Sequence, residues 1–333
     1  MTEDTSYGAI ILAAGKGTRM KSRLPKVMHC LLGVPMLRHV MEAVKDAGIP
    51  YPRQVVVAGH GGQMVENYSA GLGVKLVYQK EQLGTGHAVL TARDIFKDQR
   101  CQILIICGDT PLFRKDTLEG FIEAHKSSDA GVSILSALFS DPTGYGRILR
   151  DENGNLLSIV EEKDASPEVR AIREVNTGTY LVRSDLIFDL LEQVDSDNAQ
   201  GEYYLTDVVE IALKAGIKVH AFDLADEEEA LGVNSRAQLS LAEGIMLDRI
   251  RAFHMGNGVT ISMAHTVYIE PSVAIEPDVT IGPYTVLKGK TRIHGGAIIG
   301  PYSFLEDFDC ASDTILAPYT IKTPDEKKFG PCY

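Results

Sequence analysis

Gly8-Ala-Ile-Ile-Leu-Ala-Ala-Gly15-Lys-Gly-Thr-Arg19-Met20 is the stretch that decides the fold, because a short apolar run passes straight into a glycine-rich turn. That order marks a buried parallel strand feeding a helix through a tight loop. Further compact apolar runs stand at Gln54-Val-Val-Val-Ala, Val74-Lys-Leu-Val-Tyr and Ile103-Leu-Ile-Ile-Cys, separated by helix-like stretches such as Met36 to Ala47 and Gly86 to Phe96. Alternating strands and helices predict an α/β layer structure with a mostly parallel sheet. In such sheets ligands bind beyond the carboxyl ends of the strands, and the glycine-rich and polar clusters of this chain fall there.

The final third follows another rule. From Ile269 an aliphatic residue returns at every sixth position: Ile275, Ile281, Leu287, Ile293, Ile299 and Leu305. Four places after each stands Val273, Val279, Thr285, Thr291, Ala297, Ser303 and finally Asp309, all but the last small or β-branched. A six-residue period suits neither a helix nor a hairpin and predicts a parallel β-helix of hexapeptide repeats, with the aliphatic residues stacked inward. After Asp309 the period decays into a polar tail. Between the two architectures, Asn234 to about Phe253 has helical spacing, so the chain divides into a domain at 1–233, a linker helix at 234–255 and a short β-helix with tail at 256–333.

Two domains suit a chain of 333 residues with 44% hydrophobic and 23% charged content, which excludes wholesale disorder and coiled coil. No apolar run reaches the length of a membrane helix, and acids stand at the N-terminus where a secretory signal would carry bases. A cytoplasmic protein without membrane contact is the expectation. The five cysteines (Cys30, Cys101, Cys107, Cys310, Cys332) are scattered and unpaired in sequence, and read as buried thiols. A net charge of -12 argues against nucleic-acid binding. Yet no acid occurs between Thr5 and Met41, where Lys16, Arg19, Lys21, Arg23, Lys26 and Arg38 cluster. Such an island points to a small polyanion or to a solvated basic face.

The glycine turn is the place for phosphates, since glycine admits close backbone approach and offers its N–H groups, while Arg19 and Lys26 of Leu24-Pro-Lys supply charge. It is no Walker loop, and Met20 stands where a dinucleotide fingerprint has its third glycine. Asp109 follows the strand Ile103 to Cys107 directly, so its carboxylate projects from a carboxyl end; a hard oxygen there suits Mg²⁺.

The turn, followed by Arg and then Pro-Lys, resembles the signature of the sugar nucleotidyltransferases. Gln79-Lys-Glu-Gln-Leu-Gly-Thr-Gly-His, Gly108-Asp-Thr-Pro-Leu, Gly144-Tyr-Gly-Arg-Ile, Val160-Glu-Glu-Lys-Asp-Ala, Asn176-Thr-Gly, Gly201-Glu-Tyr-Tyr-Leu-Thr-Asp and Gly232-Val-Asn-Ser-Arg occur in that family's order. Together they resemble the N-acetylglucosamine-1-phosphate uridylyltransferase half of the bifunctional GlmU family, from about Ile10 to Leu239, and that family also carries a β-helix. The resemblance implies a Rossmann-like, GT-A-like nucleotidyltransferase domain followed by a left-handed β-helix. It implies transfer of a uridylyl group from UTP to N-acetylglucosamine 1-phosphate with release of pyrophosphate.

That reaction needs no general base, because a phosphate monoester with a second pKa near ~6 is already mostly a dianion. Its barrier is the meeting of two polyanions, so positioning and charge neutralisation are what the site must supply. Arg19 and Lys26 are the expected catalytic cations, and Asp109 the expected Mg²⁺ ligand. The resemblance makes Asn234 the second ligand, against its other reading as an N-cap of the following helix.

Gln79 can read a uracil edge with one donor and one acceptor; the family pattern adds Leu12, Ala13, Ala14, Gly15, Gly84 and Thr85 around the nucleotide. It places Cys107, Gly108 and Asp109 at the phosphates, and Gly146, Glu161 and Asn176 at the sugar, with Gly201 to Asp207, containing Tyr203, Tyr204 and Thr206, as a wall around the acetamido group; Tyr203 and Tyr204 read equally as core aromatics. His60 and His87 read as structural. The family's longer β-helix trimerises and acetylates glucosamine 1-phosphate; here a homotrimer is an expectation, and acetyltransferase activity is expected to be absent. The competing readings are a related nucleotidyltransferase with another base or sugar, and a non-catalytic sugar-nucleotide-binding protein.

Overall fold

The structure is a computed structural model that describes residues 7–324. Two compact units are present. One is residues 7–28 together with Met36–Asn234; the other is His29–Pro35 and residues 235–324. Among the described residues no helix is long and apolar enough to cross a membrane.

The first unit is built on one sheet. Seven of its strands run in the order Val219–Asp223, Val132–Leu138, Glu174–Arg183, Gln102–Cys107, Tyr7–Ala13, Gln54–Ala58, Lys75–Tyr78. The apolar opening run is the central strand: Ile10 lies opposite Val55 on one side and Ile105 on the other, both in parallel register. Its side chains alternate between two cores. Ala9, Ile11 and Ala13 pack with Leu37, Val40 and Met41 of the helix Met36–Asp46 and with Leu118 and Phe121 of the helix Lys115–Ser128. Ile10 faces the opposite way, toward Ile187 and Phe188 of Ser184–Leu191 and Val208 and Val209 of Asp207–Lys214. Burial on both faces is why the strand reads as continuous apolar sequence rather than as alternation.

One of these seven strands departs from the parallel pattern. Glu174–Arg183 runs antiparallel to both neighbours, and its pairing with Val132–Leu138 slips between Asn176 and Thr179. Gly178 there has φ +76°. Such a bulge re-aims side chains at a sheet's rim, and here it turns Asn176 and Thr177 into a cleft.

In the second unit the hexads close into a parallel β-helix. Its short strands stack in three ladders, in which Ile261, Ile281, Ile299 and Leu316 share one register, Ile269, Leu287, Leu305 and Lys322 a second, and Ile275, Ile293 and Cys310 a third. The small residues four places on are buried too, and the hydroxyls of Thr285, Thr291 and Ser303 donate to the carbonyls of Gly282, Lys288 and Gly300. The expected decay after Asp309 is corrected: one turn, with Asp307 at φ +50°, is a residue shorter, so Cys310 follows Leu305 at five places and the six-residue step then resumes at Leu316 and Lys322. A strict period count loses phase at a single deletion, although the strand pairing does not.

The helix expected at the junction is Arg236–Gly256, and it groups with the β-helix. A short hairpin from early in the chain does so as well: Cys30–Leu31 pairs with Val34–Pro35 through Leu32 and Gly33, both at positive φ, as two-residue hairpin turns require. A Cβ on Gly33 would lie 2.5 Å from Oε1 of Glu270, a β-helix residue that accepts a hydrogen bond from the Gly289 N–H at 2.7 Å. Cys101, Cys107 and Cys310 are free thiols as expected, whereas Cys30 is disulfide-bonded; Cys332 lies outside the described residues.

Candidate functional site

The carboxyl ends of the central strands frame a cleft of about 360 Å³. Leu12, Ala13, Ala14 and Gly15 enter it from the first strand and its turn, Cys107 and Asp109 from Gln102–Cys107 and the turn after it, Gly84 and Thr85 from the start of the helix Thr85–Leu90, Lys26 from the 3₁₀ turn Lys26–Met28 and Gln79 from the loop after Lys75–Tyr78. The turn packs closely. Gly17 has φ +58°, and a Cβ there would lie 2.8 Å from that of Lys26.

Gln79 is 5% exposed. Its Nε2 donates to the Gly84 carbonyl at 2.9 Å and meets Nδ1 of His87 at 3.1 Å. The expectation of one donor and one acceptor for a base is therefore corrected: the amide nitrogen is engaged within the protein and Oε1 alone remains for a ligand. Gln82 donates its amide to the Ala14 carbonyl at 3.0 Å, tying this loop to the glycine turn.

At the floor, the Lys26 ammonium forms an ion pair with Asp109 and donates to Oδ1 of Asn234 at 2.9 Å. Asn234 does not cap the following helix; Ser235 does, accepting from the Gln238 N–H at 3.2 Å. A carboxylate and an amide oxygen thus converge on one point, held by a cation of the chain itself. This donor set fits a hard divalent ion that takes few protein ligands and completes its shell with phosphate and water. No group of three or more His, Cys, Asp or Glu able to hold a metal occurs among the described residues. Burial, aided by the Asp109 charge, pushes the Cys107 thiol up to about 12, so it stays a neutral neighbour.

Beyond Asp109 the cleft continues into a second part of about 190 Å³, which shares Leu12, Thr85, Cys107 and Asp109 with the first. Here Gly146, Glu161, Asn176 and Asn234 come together with Tyr145 and Thr206. A Cβ on Gly146 would lie 3.1 Å from Ile159 and 3.5 Å from the Glu161 carboxylate. Asn176 is held by the antiparallel strand, its Nδ2 donating to Tyr180 Oη at 2.8 Å and its Oδ1 accepting from the Gly178 N–H at 3.1 Å. Burial raises the Glu161 carboxyl above its ordinary value, opposed by a hydrogen bond from the Thr206 hydroxyl at 3.2 Å. A poorly hydrated acceptor of this kind gains most from a ligand hydroxyl.

Asp207, beside this wall, is pushed up to about 6, first by burial and then by Asp195, Glu210 and Asp164. A folded-state value above the ordinary 3.8 means that stability present below pH 3.8 is lost as the pH rises through about 6. Asp207→Asn is therefore expected to raise Tm by a few degrees at about pH 7.5 and to change it little at about pH 4. Thermal melts followed by circular dichroism check this; equal shifts at both pH values would contradict it.

Two expected residues stand apart. Gly108 does not line the cleft, and its N–H is engaged by the Leu12 carbonyl at 2.9 Å. Arg19 lies exposed on the 3₁₀ turn Thr18–Met20 and makes no hydrogen bond or ion pair among the described residues. Of the basic island, Lys16 and Lys26 reach the cleft, while Arg38 pairs with Glu42 at 2.5 Å on its own helix. Glu202 of the expected wall segment lines the cleft, whereas sequence reasoning missed Tyr145 and Gly178. Tyr145 stands between Gly144 and Gly146, a place that could have signalled it, and it accepts a hydrogen bond from the Gly232 N–H at 2.9 Å. Tyr204 is buried and donates to Asp164 at 3.1 Å, so it is core and not wall.

Comparison with known proteins bears on this arrangement. Residues 8–230 match the profile of the nucleotidyl transferase family. The chain is 50% identical over 299 residues to the bifunctional protein GlmU of Caldanaerobacter subterraneus subsp. tengcongensis, covering 90% of this chain and 64% of that protein. It is 43% identical over 326 residues to the bifunctional protein GlmU of Exiguobacterium sibiricum, covering 98% and 71% respectively. Among solved structures, a UDP-glucose pyrophosphorylase complexed with UDP-glucose superposes with a TM-score of 0.59 at 18% identity, over 73% of this chain and 99% of that one. That likeness concerns the fold alone.

Proposed function

We propose a reaction from a plain premise: this chain belongs to the nucleotidyl transferase family and, within it, to the GlmU proteins. It transfers the uridylyl group of UTP to N-acetylglucosamine 1-phosphate. A phosphate oxygen of the sugar phosphate attacks the α-phosphorus in line; the bond from that phosphorus to the bridging oxygen breaks, and pyrophosphate leaves with the electron pair.

One observation carries this reading. The two parts of the cleft meet at Asp109, where Lys26, Asp109 and Asn234 converge. One part presents a base-reading acceptor and backbone groups, and the other presents Glu161 and Asn176 for a hydroxylated ring. A reaction that joins a nucleotide to a sugar phosphate needs its cations at that junction. Asp109 and Asn234 would hold a Mg²⁺ ion, which when bound supplies charge neutralisation to the phosphates. Lys26 would then turn from Asp109 and Asn234 to the phosphates. Arg19, exposed and without a hydrogen-bond partner among the described residues, would close on the triphosphate with a planar fork that lysine cannot copy. No side chain moves a proton, since the attacking oxygen carries none.

The test is initial pyrophosphate release with four nucleoside triphosphates, each against N-acetylglucosamine 1-phosphate and glucose 1-phosphate. UTP with the acetylated sugar is expected to exceed every other pair by at least about tenfold in kcat/KM. A faster rate with a thymidine nucleotide and glucose 1-phosphate would assign the chain to another member of the family.

A further inference from the structure

His87 belongs to none of the groups that would touch the reactants, yet it meets Gln79, the side chain read as facing the base. The Gln79 amide has two partners, the Gly84 carbonyl at 2.9 Å and Nδ1 of His87 at 3.1 Å. A carbonyl oxygen can only accept, so the atom facing it must be the amide nitrogen. An amide nitrogen has no lone pair to give, so Nδ1 of His87 must accept, and the imidazole proton sits on Nε2. Both hydrogens of the Gln79 amide are thereby engaged. The side chain is 95% buried by its 5% exposure and lines the cleft. Its Oε1 has no partner among the described residues.

We propose that His87 is a positioning residue for base selection: with the Gly84 carbonyl it locks Gln79 so that only an acceptor faces the base, and the site selects a pyrimidine with an imide N–H. This rests on reading the cleft as a uridine nucleotide site. Uracil and thymine carry N3–H and satisfy the lone acceptor. Cytosine presents a lone pair at N3, and two acceptors then face each other in a place with little water. Turning the amide over to suit cytosine would set Oε1 against the Gly84 carbonyl and the Nδ1 lone pair. The turn is held in place in its own right: Gly84 has φ +108°, and a Cβ there would lie 2.5 Å from the Tyr203 carbonyl oxygen.

The experiment compares wild type, His87→Leu and His87→Asn for kcat/KM with UTP and CTP, and for the Kd of UDP and CDP by calorimetry. Leucine removes the acceptor, and asparagine can restore it at the position of Nδ1. His87→Leu is expected to lower the uridine-to-cytidine ratio about tenfold, as loss of one buried hydrogen bond does, and His87→Asn to keep it within about threefold of wild type. Equal losses for both nucleotides in His87→Leu, with the ratio unchanged, would overturn the proposal, since a merely structural histidine behaves so. Binding separates the two readings. If wild type binds UDP over CDP in a His87-dependent ratio but makes no sugar nucleotide, the reaction is wrong and the inference stands. Turnover with a His87-indifferent ratio means the reverse. Should His87→Leu not fold, ¹⁵N NMR of the wild-type imidazole decides: Nε2–H with a bare Nδ1 is expected, and a protonated Nδ1 in the neutral ring would overturn the lock.

Discussion

An Asp109→Ala variant is expected to lose pyrophosphate release almost entirely, by about a thousandfold or more in kcat, with its far-UV circular dichroism unchanged. Among the described residues Asp109 is the one carboxylate shared by the two parts of the cleft, and it pairs with the Lys26 ammonium. With the carboxylate gone, Asn234 alone remains to hold a divalent ion, and a neutral amide oxygen is a poor anchor for one. The fold should persist, because the Asp109 backbone keeps its place: its carbonyl accepts from the Val233 N–H at 2.8 Å, and the neighbouring Thr110 hydroxyl donates to the Cys107 carbonyl at 2.7 Å. Added Mg²⁺ at tens of millimolar should recover only a small part of the rate. Turnover within tenfold of wild type would remove Asp109 from the chemistry.

A Lys26→Met variant is expected to fall about a hundredfold to a thousandfold in kcat/KM, the loss that follows removal of one preorganised charge from a developing polyanion. Methionine keeps the stem and removes the ammonium, so the close packing against Gly17 survives. The ligand-free protein should also become less stable, because Asp109 and Asn234 lose the cation on which they converge. Stability measured for Lys26→Met, Asp109→Ala and the double variant tests that coupling directly. The double variant should be less destabilised than the sum of the single ones. Strict additivity would mean that the ion pair contributes nothing to the resting protein.

Much of this was readable in the residues. The run ending at Ala14 had to be a buried strand because no polar residue interrupts it, and Asp109 had to project from a carboxyl end because it follows such a run directly. Other features depend on partners remote in sequence. Nothing in Glu174–Arg183 announces that it runs against its neighbours, and yet that reversal and its bulge place Asn176. Asn234 and Ser235 are equally good helix caps by residue type, and only the position of Lys26, far away in the chain, shows that Asn234 turns its oxygen to that ammonium instead. The orientation of the Gln79 amide is likewise invisible until a carbonyl and an imidazole five and eight residues on are seen to face the same atom. The one-residue deletion after Leu305 was legible in principle, had the inward positions been followed across the slip.

The seven residues His29–Pro35 bear on how this molecule can be taken apart. They follow Lys26 by three positions, yet they cluster with the far end of the chain, where Gly33 sits against Glu270. A clone ending at Asn234 would therefore leave a hairpin without its seat, immediately downstream of Lys26. Anyone who wants a minimal nucleotidyl transferase unit from this chain must carry the first β-helical coil along, or redesign that hairpin before cutting.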